Sequence, residues 1–158
     1  MPANLATWIM ILVLDVLGLI LVLRAGNKSP FLQIGWTIAA LLIVLAIALN
    51  NTLWQWTWIE TISVSFCILS IFIWYKISAK YAIWPQMMAA YISFIPQGVD
   101  YWSLPQTQTW WLWAGTIVGC LLAIIGSKKQ TFENVFIPWG CVILNATVLL
   151  ILFRSYLF

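Results

Sequence analysis

Histidine is absent from this chain. With it go the commonest metal ligand and the usual general base. Charge is nearly as scarce, with 7% of the 158 residues being Asp, Glu, Lys or Arg, against about 25% in soluble domains. Cysteine occurs three times, as Cys67, Cys120 and Cys141, in three separate apolar segments and without CxxC spacing. A zinc, haem-attachment or dithiol redox motif is therefore not expected, and small buried residues in helix packing are. The chain also lacks a Ser/His pair, an HExxH and an aspartyl GxGD sequence. No catalytic residue, metal or cofactor is expected, and the chain is not read as an enzyme. The net charge of +3 is spread over scattered residues, so no basic patch points to nucleic acid.

What the chain has is hydrocarbon. Hydrophobic residues make up 64% of it, and the mean hydropathy is +1.01. No soluble domain of this size buries that much apolar surface, so the solvent for most of the chain is lipid. A bilayer-spanning helix needs about 20 apolar residues, and six such runs can be drawn, at 5–24, 31–50, 56–76, 80–101, 109–126 and 132–153. The connections are short. The expected fold is an all-α integral membrane protein, 1–158, of about six transmembrane helices in one bundle. Its halves, 1–78 and 79–158, would be two three-helix units in inverted orientation. The first run follows Met-Pro-Ala-Asn with no basic n-region and reads as a spanning helix rather than a removable signal.

Basic residues give the expected orientation. Arg24 and Lys28, Lys76 and Lys80, and Lys128 and Lys129 flank alternate connections, and only Arg154 falls on the other side. By the positive-inside rule that face is cytoplasmic, with both termini outside, as in a multi-pass protein of a bacterial-type plasma membrane. Trp8, Trp54, Trp56, Trp58, Trp102, Trp110, Trp111 and Trp113 then map to the outer boundary and Trp36, Trp74 and Trp84 to the inner one. That is the aromatic belt expected of a membrane protein, and an aromatic sugar-stacking platform would use the same kind of residue.

Polar residues inside such helices must face protein, water or a ligand, because lipid cannot satisfy them. Asp15 lies mid-way along the first run with no basic residue at its depth, and Gly18 follows one turn on. Two readings stay open: a proton- or cation-coupling carboxylate, and a neutral acid bonded to a neighbouring helix such as the sixth through Asn145. On the second run Gln33, Thr37 and Ala40 share a face, and on the third Glu60, Ser63, Cys67 and Ser70 do. At 100° per residue Gln86, Ala90, Ser93, Gln97 and Asp100 fall within an arc of roughly 80° on the fourth. Pro85-Gln86 and Pro96-Gln97 repeat at nearly three turns, which suggests a hinge or a ligand-lined notch. Glu60 and Asp100 fit either an electronegative outer vestibule or solvated helix ends. Gly115, Gly119 and Ala123 form a small-xxx-small series expected to let another helix approach.

Ile95-Pro96-Gln97, a short loop, Trp110-Trp-Leu-Trp-Ala-Gly115 opening an apolar helix, and Asn145 in Ile-Leu-Asn-Ala-Thr together resemble a PQ-loop repeat. The resemblance covers roughly residues 80–153. Proteins built on that repeat include SWEET-type sugar carriers, lysosomal amino-acid exporters and the KDEL receptor. It implies a triple-helix bundle in which Pro96 is a hinge, Gln97 stands beside it and Asn145 lines a substrate path. The expected function is a carrier for a small polar solute, with Asp15, Gln86, Ser93, Pro96, Gln97 and Asn145 along the path. The alternative is a non-catalytic structural or assembly subunit of a membrane complex. Expected partners are the lipid bilayer, a small polar solute, and a second copy or another membrane-complex chain.

Overall fold

The computed structural model describes residues 4–26, 30–50, 54–103, 110–126 and 132–157. Among these there are helices and no strand: α1 Leu5–Arg24, α2 Phe31–Leu49, α3 Trp58–Lys76, α4 Ala79–Ser93, α5 Ile95–Ser103, α6 Trp110–Gly126 and α7 Phe132–Leu157. Leu5–Arg24, Phe31–Leu49, Trp58–Lys76 and Val135–Arg154 are long and apolar enough to cross a membrane. The protein is all-α and membrane-embedded. Lys28, Lys128, Lys129 and Thr131 lie outside the described residues, as do the side chains of Gln97, Asp100, Glu133 and Asn134.

The fourth apolar run is not one helix. It stops at Ser93 and restarts at Ile95. Proline disfavours helical backbone at the residue before it and removes an N–H donor, so Pro96 is tolerated only in a first turn. The restart puts it there: the Gly98 N–H donates to the Phe94 carbonyl at 3.0 Å, closing the first turn of α5. Pro85, by contrast, stays inside α4. The chain correspondingly divides into two units, Met1–Ser93 and Phe94–Phe158. That boundary falls at 93/94, whereas sequence spacing suggested halves meeting at 78/79.

In the first unit α1 packs against α2, α3 and α4, and α4 lies against both α1 and α3. Asn4 caps α1 by accepting from the Ala6 N–H at 3.1 Å, while its amide donates to the Gln55 carbonyl at 2.7 Å. This ties the start of α1 to the segment leading into α3. At the other end, α1 closes on Gly26 at φ 95°, a left-handed residue that glycine supplies without strain. Since α1 and α3 start together and are 20 and 19 residues long, Arg24 and Lys76 sit at the same end of this unit.

The α3–α4 interface is made of small residues. Glu60, Ser63, Cys67 and Ser70, the face read from spacing, are the buried residues of α3, and Ala82 and Ala89 of α4 are wholly buried opposite them. Small side chains bring the two backbones close enough for hydroxyls to bridge them. Ser70 donates to the Ala82 carbonyl at 2.7 Å. The Ser93 hydroxyl lies 2.9 Å from both the Ser63 Oγ of α3 and the Ala89 carbonyl of its own helix, and its single proton is shared between these two acceptors. In lipid, packing and such bonds hold helices together, because hydrocarbon is as apolar as a leucine side chain. Ile34, Ile38, Leu41, Leu42 and Leu45 of α2 are exposed apolar side chains, as a helix that borders lipid carries.

In the second unit α7 packs against α6 and α5. Arg154 lies over the Trp102 ring, 3.6 Å from its centroid, and its guanidinium donates to the Trp102 carbonyl. The Trp110 and Phe153 rings stand 6.0 Å apart across α6 and α7.

Candidate functional site

Gln86 is the centre of the first unit. It is 4% exposed, and its Nε2 donates to the Leu14 carbonyl of α1 at 3.0 Å. That bond fixes which end of the amide is which, since the reverse orientation would set two acceptors against each other. The other end, Oε1, is buried and has no hydrogen-bond partner. Gly18 makes the arrangement possible. A Cβ there would lie 2.9 Å from Gln86 Nε2 and 3.3 Å from Cδ, inside contact distance. The amide occupies the notch that a missing side chain leaves in α1.

Asp15 stands on α1 one turn before Gly18, on the edge of the helix's buried face, and is half-buried. A charge at mid-span costs on the order of 2.5–3.5 kcal/mol on the insertion scale. No residue of α2 is ionisable. Asn145, the suggested partner for Asp15, belongs to the second unit, and the polar group described near α1's middle is Gln86.

Glu60 corrects the vestibule reading. It is 2% exposed rather than solvated. Its Oε1 accepts from the Thr7 hydroxyl of α1 at 2.6 Å, and its Oε2 accepts from the Thr57 N–H at 2.8 Å and from the Thr57 hydroxyl. This is a capping box at the start of α3, extended to α1 by Thr7. All its acceptor strength is spent on helix ends, because the first turn of a helix offers unpaired donors and a favourable dipole. The side chain of Asp100, its expected counterpart, lies outside the described residues.

Ser93 is likewise committed, between Ser63 on α3 and the Ala89 carbonyl one turn back on its own helix. Pro96 opens α5, and the side chain of Gln97 lies outside the described residues. The glycine series corrects too. A Cβ added at Gly115 or Gly119 would meet nothing within 4 Å, so the described helices of this unit make no close approach at those two glycines. The close-approach glycine is Gly18. Sequence spacing placed it beside Asp15, but its pairing with a residue 68 positions away has no local signal.

In the second unit Asn145 is 4% exposed. Its Nδ2 donates to the Cys141 carbonyl one turn back at 2.7 Å, and its Oδ1 is buried without a partner. Among the described residues, each unit thus contains one amide whose donor is committed and whose buried oxygen has no partner. Among the described residues no group of three or more His, Cys, Asp or Glu side chains is placed to hold a metal ion. The chain matches no family model, no curated protein and no solved structure.

Proposed function

We propose that the chain is a membrane carrier for a small polar solute that offers hydrogen-bond donors, such as hydroxyl or ammonium groups. The observation that carries this reading is the Gln86 oxygen: oriented by a bond to Leu14, seated against Gly18, and left without a donor. A buried acceptor with no partner costs about 1–3 kcal/mol, and an ionisable side chain such as Asp15 inside a membrane span is a functional-site candidate by default. Asp15, one turn away, is the coupling carboxylate in this reading. Pro85 supplies a bend point inside α4, and Pro96 follows the break at Phe94. The resemblance to PQ-loop proteins agrees with such a role for Pro96 and Asn145. The cytoplasmic face is taken as the one bearing Arg24, Lys76 and Lys80, with both termini outside a bacterial-type plasma membrane.

A second reading, a structural or assembly subunit, is favoured by Glu60, Ser63, Ser70 and Ser93, whose polar atoms all go to holding helices together. Purified protein in sealed vesicles separates the two. Carriage predicts uptake of a polyol, sugar or amino acid from a panel, accelerated by an inward proton gradient. Asp15→Asn should abolish the acceleration and Gln86→Met the uptake itself. No uptake of any panel member, together with a stoichiometric protein partner on mild extraction, would select the subunit reading.

A further inference from the structure

Serine and threonine inside a helix commonly bond back to the carbonyl one turn earlier. Thr37, Ser65, Thr116 and Thr147 do so, each at 2.9 Å from the residue four before it. Ser70 of α3 does not. It reaches across to α4 and donates to the Ala82 carbonyl at 2.7 Å, and both residues are wholly buried. We propose that Ser70 is the positioning residue of the Gln86 site: its hydroxyl supports the turn of α4 that Pro85 opens, and so fixes the bend that seats the Gln86 amide against Leu14 and Gly18.

Proline accounts for the choice of partner. Pro85 lies inside α4, offers no N–H to the Tyr81 carbonyl one turn back, and pushes its ring against that turn. Ala82 is the next residue of the same turn. Hydroxyls of neighbouring helices are one way such a turn is satisfied in a membrane protein. Two further ties hold α4 beyond the proline. Gln86, the next residue, donates to the Leu14 carbonyl of α1 at 3.0 Å, and Ser63 of α3 reaches the Ala89 carbonyl at 3.5 Å. Ser63 and Ser70 are seven residues apart on α3, as Ala82 and Ala89 are on α4, so the two hydroxyls straddle Pro85. The arm before the proline is therefore held to α3, and the residue just after it to α1. Those two bonds set the bend between them. The notch at Gly18 tolerates little error, because a single added Cβ would stand 2.9 Å from Gln86 Nε2. This deepens the carrier reading, but only the uptake arm of the test rests on that reading.

The test uses the full chain in micelles, with the side-chain amide resonances of Gln86 and Gln33 followed by nitrogen-15 NMR. Ser70→Ala should move the Gln86 resonances and leave those of Gln33, on α2, in place. Ser65→Ala, whose hydroxyl bonds only its own helix, should move neither. A double-mutant cycle asks the same question of the proline. Ser70→Ala should lower the folding equilibrium constant by about three- to eighteenfold, the range of hydrogen bonds between membrane helices. With Pro85→Ala in place the backbone donor returns, and the same change should cost less than about twofold. In sealed vesicles Ser70→Ala should raise the solute concentration for half-maximal uptake by about threefold or more. Gln86 resonances that stay in place with Ser70→Ala would overturn the proposal, and that arm needs no variant at Pro85 to fold. Additive effects at 70 and 85 would overturn it as well. Resonances that move while no panel solute is taken up would support the role of Ser70 and count against carriage alone.

Discussion

Gly18→Ala is the substitution whose effect the structure specifies most closely. The new methyl would stand 2.9 Å from Gln86 Nε2, so the amide must move and its bond to the Leu14 carbonyl is lost. Hydrogen bonds between membrane helices are worth about 0.6 kcal/mol on average and at most about 1.7. The displaced N–H, if left buried, adds to that loss. Against it runs the helix preference of alanine over glycine, about 0.8–1.0 kcal/mol in water. The single variant alone is therefore ambiguous, and a double-mutant cycle is not. With Gln86→Ala in place, the methyl at position 18 meets space, and Gly18→Ala should be neutral or stabilising. In the native background it should be less favourable than that by the coupling energy. The coupling between the two sites should be about 1–2 kcal/mol, well above the roughly 0.3–0.5 kcal/mol within which independent sites add. Unfolding in mixed micelles, followed by tryptophan fluorescence, measures it. Gly119→Ala on α6 serves as control, since a Cβ there meets nothing within 4 Å. Additive effects at 18 and 86 would refute the notch.

Other variants probe the rest of the first unit and the joint of the second. Glu60→Ala leaves the Thr7 hydroxyl and the first turn of α3 without their acceptor, and should cost about 2–3 kcal/mol, read by the same unfolding assay. Thr7→Val should recover little of that loss in the Glu60→Ala background while costing about 1 kcal/mol alone. A Ser63→Ala and Ser93→Ala cycle should give a coupling of about 0.5 kcal/mol, because each hydroxyl keeps a backbone acceptor, the Ala89 carbonyl, when the other is removed. Arg154→Lys keeps the charge but loses the planar stack on Trp102. It should make Trp102 more accessible to aqueous quenchers, whereas the accessibility of Trp110 should not change comparably.

Much of the frame was legible in the chain because hydrocarbon length is a local property. The runs 5–24, 31–50 and 56–76 reappear as α1, α2 and α3 within two residues, and the 3- and 4-residue spacing of Glu60, Ser63, Cys67 and Ser70 marked the face that is buried. Wheel arithmetic failed where its premise failed. Projecting Gln86, Ser93, Gln97 and Asp100 onto one stripe assumes an unbroken helix, and the break at Phe94 ends it. The capping role of Glu60 was half visible: Thr57 followed three residues later by Glu60 is a capping-box spacing, but the depth of its burial depends on Thr7 from another helix. Glycine spacing misled for a related reason. A small-xxx-small pattern permits close approach without supplying a partner, so Gly115 and Gly119 stay open while the single Gly18 accepts the Gln86 amide. A pairing such as Gln86 with Leu14 is tertiary and leaves no periodic trace.

The central functional claim is that the free oxygen of Gln86 meets a solute. Transient currents recorded from vesicles on a solid-supported membrane, after a rapid solute jump with a proton gradient imposed, test it most directly. The account predicts a solute-dependent current in the native chain that Gln86→Met abolishes, with α-helix content and unfolding midpoint within the range of the Gly119→Ala control. A current of undiminished size in Gln86→Met would contradict it.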